Sequence, residues 1–322
     1  MLRQPAGLGI GQELLKTDRV LMTDWVELSL LLHEPEVFGS ELLDLFREDD
    51  QAEEDDDAWT VVTDIWNELK RRRLSHVGGS VALDTRPGRY RAWSNGPWQA
   101  NAAHVFTLWC SLRSAYPEKP GEEKFKNDYP VQGALWERVA RHGLAATWNG
   151  WDVELVGWSA AHAVKLKKVA AEVAALLGEI VSDEDRIERW TRKEAKDAGL
   201  DLVLVRRYPD MLSAPRYFGQ AASGKNWVSK TTTPKISLWS KLIDFAIQPS
   251  LMMAIPFCIA DSEFDRATQS TEGLLVDRHR IIPTGPEHNW LPSDLRRDLI
   301  KYLEPRVAFL LEGATSKMSD FE

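Results

Sequence analysis

The sequence predicts an α/β protein: a mainly helical N-terminal domain, then a layered domain whose central mixed sheet is flanked by helices. Three observations point there. Apolar residues recur at helical spacing through the first third of the chain. A stretch from Tyr116 to Lys124 rich in proline, glycine and charge divides the sequence. Beyond it the patterned segments run helix, strand, helices, two adjacent strands, helix, strand, an order that builds a sheet with helices on its faces.

Residues 1–20 are weakly patterned and read as an arm. Asp24 followed by Glu27 reads as the capped start of a helix ending at Leu32. The acidic run at 48–57 reads as a solvated loop. It ends at Asp57, the expected cap of a helix carrying Trp59, Val62, Ile65, Trp66 and Leu69. Gly78–Gly79 breaks that pattern, a strand or hairpin is expected around Arg89–Trp93, and a further helix presents Trp98, Ala102, Phe106, Trp109 and Leu112. These elements make a first domain over residues 1–117.

The second domain, 118–322, opens with a helix near Val131–Ala146 whose inner face is Leu135, Val139, Ala140 and Leu144. A strand follows at Trp151–Trp158, then the clearest amphipathic helix, Leu166–Leu177, and a charged helix near 183–197. Strands are expected at Leu200–Val205 and Tyr217–Ala222, a helix at Ile236–Ala246, and strands at Met253–Ala260 and Leu274–Ile282. A final helix, Leu295–Leu311, is expected to be interrupted at Pro305.

The bulk composition narrows the function classes. A net charge of −9 argues against a protein that coats nucleic acid non-specifically. The charge is partitioned, however: acids crowd 48–57, while 211–243 carries Arg216, Lys225, Lys230, Lys235 and Lys241 and no acid. Two cysteines in separate apolar contexts do not form a disulfide framework or a cysteine zinc site, which fits a reducing compartment. No apolar stretch is long enough to span a bilayer, so the expectation is a soluble, cytoplasmic protein with no membrane partner.

The chemistry concentrates at 201–230. Cutting a phosphodiester needs a nucleophilic water, relief of phosphate charge and a stabilised leaving oxygen. A Mg²⁺ ion held by one or two carboxylates supplies much of this. Asp201 opens the apolar run Leu-Val-Leu-Val, Gln220 closes the next, and Lys225 follows a Ser-Gly hinge. If the two runs are antiparallel neighbours, Asp201 and Gln220 reach one sheet end, with Lys225 able to curl toward it. Glu137, on the preceding helix, is a fourth candidate.

Leu135-Trp-Glu137-Arg, Gly199-Leu-Asp201-Leu-Val, and Gly219-Gln220-Ala-Ala-Ser-Gly224-Lys225-Asn226-Trp227 together resemble the PD-(D/E)XK restriction-endonuclease-like superfamily. The likeness is to a branch in which a Gly-Gln segment follows the metal-binding Asp. Lys230 and Asp277-Arg278 extend it over roughly residues 118–322. The resemblance implies a restriction-endonuclease-like core and Mg²⁺- or Mn²⁺-dependent DNA cleavage, often within bacterial restriction or anti-phage systems. It admits an oligomer and other subunits of a defence complex as partners. By it, Asp201, Gln220 and Glu137 hold the metal and Lys225 activates water, while Lys225, Asn226, Trp227, Lys230 and Lys235 contact nucleic acid. Two positions depart from the pattern: Gln220 stands for the usual acid, and Ala222 stands where the lysine is usual, so that role passes to Lys225 or Lys230. An inactive module that keeps the fold and binds nucleic acid or a partner is the alternative.

Gly219-x-x-x-x-Gly224-Lys225 also nearly spells a phosphate-binding loop. Asn226 lacks the hydroxyl that would hold Mg²⁺, and Val228-Ser-Lys-Thr-Thr-Thr-Pro is a poor helix start. A P-loop nucleotide binder is therefore the lesser alternative. Among other candidates, Trp239 fits a buried helix face, while Trp227 suits base contact and core packing equally. Arg189, Arg192, Lys193 and Lys196 interleave with acids and read as a solvated helix face. His279 reads as a structural strand histidine. The first domain, with its acidic loop and Trp-rich helices, is expected to dock a partner subunit or shield the basic channel.

Overall fold

A computed structural model describes residues 19–48, 55–73, 80–114, 122–156, 166–190, 199–209 and 213–315. In chain order the elements are α1 (Arg19–Leu32), β1 (Glu36–Phe38), α2 (Gly39–Glu48), α3 (Asp55–Arg73), β2 (Val81–Leu83), β3 (Arg91–Ser94) and α4 (Ala102–Ser114). Then come α5 (Glu122–Phe125), α6 (Tyr129–Thr147), β4 (Trp151–Leu155), α7 (Leu166–Leu177), β5 (Ile180–Val181), α8 (Glu184–Trp190), β6 (Leu202–Arg206) and β7 (Arg216–Ala221). The chain closes with α9 (Ile236–Leu242), β8 (Ile243–Asp244), β9 (Ser250–Ala254), α10 (Asp261–Thr271), β10 (Leu274–Val276), α11 (Arg278–Ile281) and α12 (Ser293–Thr315).

The chain divides into two compact units. One comprises Met1–Tyr129, Pro256–Ala260 and Arg278–Glu322; the other comprises Pro130–Ile255 and Asp261–Asp277. This partition does not follow a cut at 117/118. The C-terminal helix belongs with the first unit because its apolar side packs on α4, where Phe106 meets Tyr302 edge-on.

The first unit is mainly helical around α1, which is buried on nearly every side. Helix α3 supplies Val62, Ile65, Trp66 and Leu69 at helical spacing, all buried. A small antiparallel sheet, β1-β3-β2, completes it. Asp24 is no helix cap: α1 starts at Arg19, and Asp24 lies in its middle, 1% exposed and paired with Arg72 at 2.6 Å. The terminal helix continues through Pro305, with Leu299, Tyr302 and Leu303 buried before it and Val307 after it.

In the second unit a five-stranded sheet has the order β10-β9-β7-β6-β4. β4, β6 and β7 form an antiparallel meander, and β9 and β10 join parallel to β7. Phe218, Val203 and Val205 lie on one face under α7, α8 and α9, in a core with Val169, Val173, Trp239 and Leu242. Leu202 and Leu204, which point the other way, are also fully buried. Both faces are therefore covered, as the unbroken apolar run of β6 requires.

Several boundaries differ from the sequence expectation. The helix expected to Ala246 stops at Leu242 because Ile243 pairs with Val181 in a two-stranded ribbon. β9 begins at Ser250 and ends at Ala254, ahead of Pro256, which has no N–H for a ladder. β10 ends at Val276, and a helical turn at Arg278–Ile281 follows, so His279 is not on a strand. The arm at 1–18, most of the acidic run, Gly78–Gly79 and the greater part of the expected linker lie outside the described residues. Among the described residues no helix is long and apolar enough to cross a membrane.

Candidate functional site

The register of β6 against β7 sets Leu202 opposite Gly219. One step further, Asp201 stands opposite Gln220, and the Asp201 N–H donates to the Gly219 carbonyl at 2.9 Å. Alternation along each strand puts both side chains on the face of Val203 and Phe218, at its end. There the Gln220 Nε2 donates to Asp201 Oδ2. The same oxygen accepts the Ala221 N–H at 2.8 Å. Asp201 is 8% and Gln220 7% exposed, so the pair sits just beneath the surface.

Gly199 lets the surrounding chain close on this pair. Its φ of +74° favours glycine, and a Cβ there would lie 3.2 Å from Gln220 Oε1 and overlap Thr233 Cγ2. Helix α6 is tied to the same sheet end by two side chains one turn apart. Gln132 Nε2 donates to the Ser223 carbonyl at 3.0 Å, and Trp136 Nε1 to the Ala254 carbonyl at 3.2 Å. Ala254 O also accepts the Ala222 N–H at 2.9 Å, which joins the ends of β7 and β9. Glu137 is half-buried on α6, next to the anchored Trp136.

The basic candidates occupy the segment leaving this strand end. Lys225 and Asn226 are exposed on the turn after β7, Trp227 and Lys230 are half-buried in a short 3₁₀ turn, and Lys235 is exposed just before α9. Among the described residues Lys225 pairs with no acid. The structure thus joins Asp201 to Gln220 directly and leaves the cations facing solvent a few residues on.

A phosphate loop does not form here. Gly219, Gln220 and Ala221 are strand residues in register with β9, so they cannot wrap a phosphate. Beyond Lys225 the chain makes a single 3₁₀ turn, Trp227–Lys230, rather than a helix opening on the loop. Among the described residues no group of three or more His, Cys, Asp or Glu converges to hold a metal. The site offers one carboxylate and one amide, hard donors of the kind Mg²⁺ accepts alongside several waters. The amide nitrogen faces Asp201, so ligation through Gln220 Oε1 requires that amide to turn over.

The first unit holds a second polar cluster, which sequence reasoning missed. Arg72 donates to Asp24 at 2.6 Å, Glu27 at 3.0 Å, Glu68 at 2.9 Å and the Val20 carbonyl at 2.8 Å. Arg278 reaches Asp24 at 2.5 Å. Burial raises the Glu27 carboxyl, but Arg72, a hydrogen bond from His104, and Arg278 outweigh it and hold the group well below its usual range. His104 bridges Glu27 Oε2 at 2.9 Å and Ser80 Oγ at 2.5 Å. That order resembles an activated hydroxyl, yet Ser80 is 6% exposed and His104 1%, so the cluster is a buried frame with no approach for a substrate. The signal lay in the periodicity: Arg72 continues the buried stripe Val62, Ile65, Leu69, and Asp24 and Glu27 fall on the stripe of Val20 and Leu31. Elsewhere in this unit Cys258 Sγ lies 2.8 Å from His279 Nε2.

No family model, curated protein or solved structure matches the chain.

Proposed function

We propose that the protein is a metal-dependent nuclease that cuts DNA. The observation that carries this reading is the direct contact of Asp201 and Gln220 at one sheet end. It joins two of the three segments on which the restriction-endonuclease resemblance rests, and α6, which carries Glu137, is tied to the same sheet end through Gln132 and Trp136. Asp201 holds the metal, Gln220 completes the site once its amide turns, and Glu137 assists from α6. A bound Mg²⁺ or Mn²⁺ supplies relief of phosphate charge and an acidified water. Lys225 offsets phosphate charge or orients the water, and Asn226, Trp227, Lys230 and Lys235 guide the strand past the site. A place in a bacterial anti-phage or restriction system, with partner subunits, rests on the resemblance alone.

One observation favours a second reading, an inactive module of the same fold. Asp201 Oδ2 already accepts two hydrogen bonds in a nearly buried setting, as a purely structural carboxylate does. Plasmid cleavage with Mg²⁺ and with Mn²⁺ separates the two. Asp201→Asn keeps the shape and an oxygen for the Ala221 N–H, so it should melt like the wild type and cut nothing. Gln220→Glu restores the usual second acid and should cut at least as fast as the wild type. Wild-type rates from Asp201→Asn would refute the assignment. DNA binding indifferent to EDTA, with no nicking in either metal, supports the inactive module.

A further inference from the structure

We propose that an open pocket between α8 and the end of α9 binds one unpaired base and its flanking phosphates in single-stranded nucleic acid. This goes beyond the nuclease reading and does not depend on whether Asp201 cuts. The pocket, about 400 Å³, is lined by Asp185, Arg186, Arg189 and Trp190 of α8 and Lys241 of α9. The two helices that line it share a core, since Ile187 of α8 is buried in one cluster with Trp239 and Leu242 of α9.

Trp190 is 47% exposed, an unusual position for a tryptophan in a unit where Trp136 and Trp239 are fully buried. Lys241 Nζ lies 5.3 Å and the Arg189 guanidinium carbon 5.7 Å from its ring. Arg186 and Arg189 are exposed and Lys241 half-buried. Among the described residues none of the three pairs with an acid. Among the described residues the lining carries three cations and one carboxylate. A half-exposed indole with an arginine and a lysine over its ring offers an aromatic platform and phosphate partners together, which matches an unpaired base beside its phosphates. Duplex DNA keeps its base faces stacked on one another, and an acidic peptide has no use for the ring, so single-stranded nucleic acid is the ligand this geometry selects. Lys241 also falls within the acid-free stretch 211–243 that contains Gln220 and Lys225.

The test is fluorescence anisotropy of a 5′-fluorescein oligothymidylate, about 20 nucleotides long, titrated with full-length Asp201→Asn protein in EDTA so that cleavage plays no part. Trp190→Ala should weaken binding by about fivefold or more without changing the salt dependence. Arg189→Glu with Lys241→Glu should reduce the slope of log K against log salt by about 1.4. Lys168→Glu, an exposed charge change on α7, should leave both unchanged. Full affinity in Trp190→Ala, or an equal loss from Lys168→Glu, overturns the proposal, as does displacement of the oligonucleotide by polyglutamate at equal charge. Failure of the nuclease reading is scored separately, by plasmid cleavage, and leaves this measurement intact.

Discussion

Replacing Arg72 by methionine removes four hydrogen bonds from a fully buried guanidinium while nearly conserving side-chain volume. Among the described residues Asp24 then keeps Arg278 and Ser111, Glu27 keeps His104 and the more distant Arg278, and Glu68 keeps the half-exposed Arg71. Breaking a buried ion pair from one side costs about 3–5 kcal/mol, because the partners stay charged and buried. That is a large share of the roughly 5–15 kcal/mol that holds a typical domain folded. At about 2–4 °C per kcal/mol, the first unit should melt roughly 6–20 °C lower. The pH dependence gives a sharper reading. In the wild type, burial pushes the Glu68 carboxyl up, but Arg71 and Arg72 outweigh it and bring it down to about 2. A lowered folded pKa contributes stability above the unfolded value that is lost as pH falls through the folded one. Without Arg72 one of the groups that hold Glu27 and Glu68 down is gone while their burial stays, so these two carboxyls take up protons at higher pH than in the wild type. The deficit of Arg72→Met should therefore be greatest near about pH 7 and shrink by about pH 5. Urea unfolding followed by far-UV circular dichroism at both pH values measures it. A loss below about 1 kcal/mol at neutral pH, or a deficit that grows on acidification, would refute the reasoning. Adding Asp24→Asn and Glu27→Gln should recover part of the loss.

Two further outcomes are expected. Gly199→Ala places an L-residue at positive φ against Thr233 Cγ2 and should cost about 2–4 kcal/mol; Thr233→Ala should recover part of this in the double variant, and no recovery in thermal melts would sink the steric account. Burial raises the Glu287 carboxyl to about 7 against the pull of the Ala103 and His104 N–H groups. A raised folded pKa stabilises below it, so this residue's contribution should fall by up to about 3 kcal/mol as pH rises from about 4.5 to 7. Stability curves of wild type and Glu287→Gln that stay parallel across that range would contradict it.

Much of the second unit was legible because its segments bury one face each. Leu166–Leu177 is a helix over that whole span, and the antiparallel neighbours β6 and β7 follow from two adjacent apolar runs with a short connection. The pairing of Asp201 with Gln220 followed from that, since residues at corresponding ends of antiparallel strands must meet. Boundaries set by distant partners were not legible. Ile243 leaves its helix because Val181, far away in sequence, offers a strand edge, and the terminal helix continues through Pro305 with residues buried before and after it. The charged core of the first unit was misread as a helix cap for the same reason. A local rule assigns Asp24 to a cap, whereas its real partners are Arg72 and Arg278.

The sequence by itself determined the class of the second unit, the face each helix buries, and the neighbourhood of Asp201, Gln220 and the cations beyond them. These depend on periodicity and on spacing of a few residues, which the chain carries locally. Only the tertiary structure decided that the C-terminal helix belongs with the first unit and that Arg72 and Arg278 close a buried network with acids of α1. It also decided that Trp190 stands exposed between Arg189 and Lys241. Those outcomes are set by burial and charge pairing between residues tens to hundreds of positions apart, and no local pattern encodes which distant partner removes a given side chain from water.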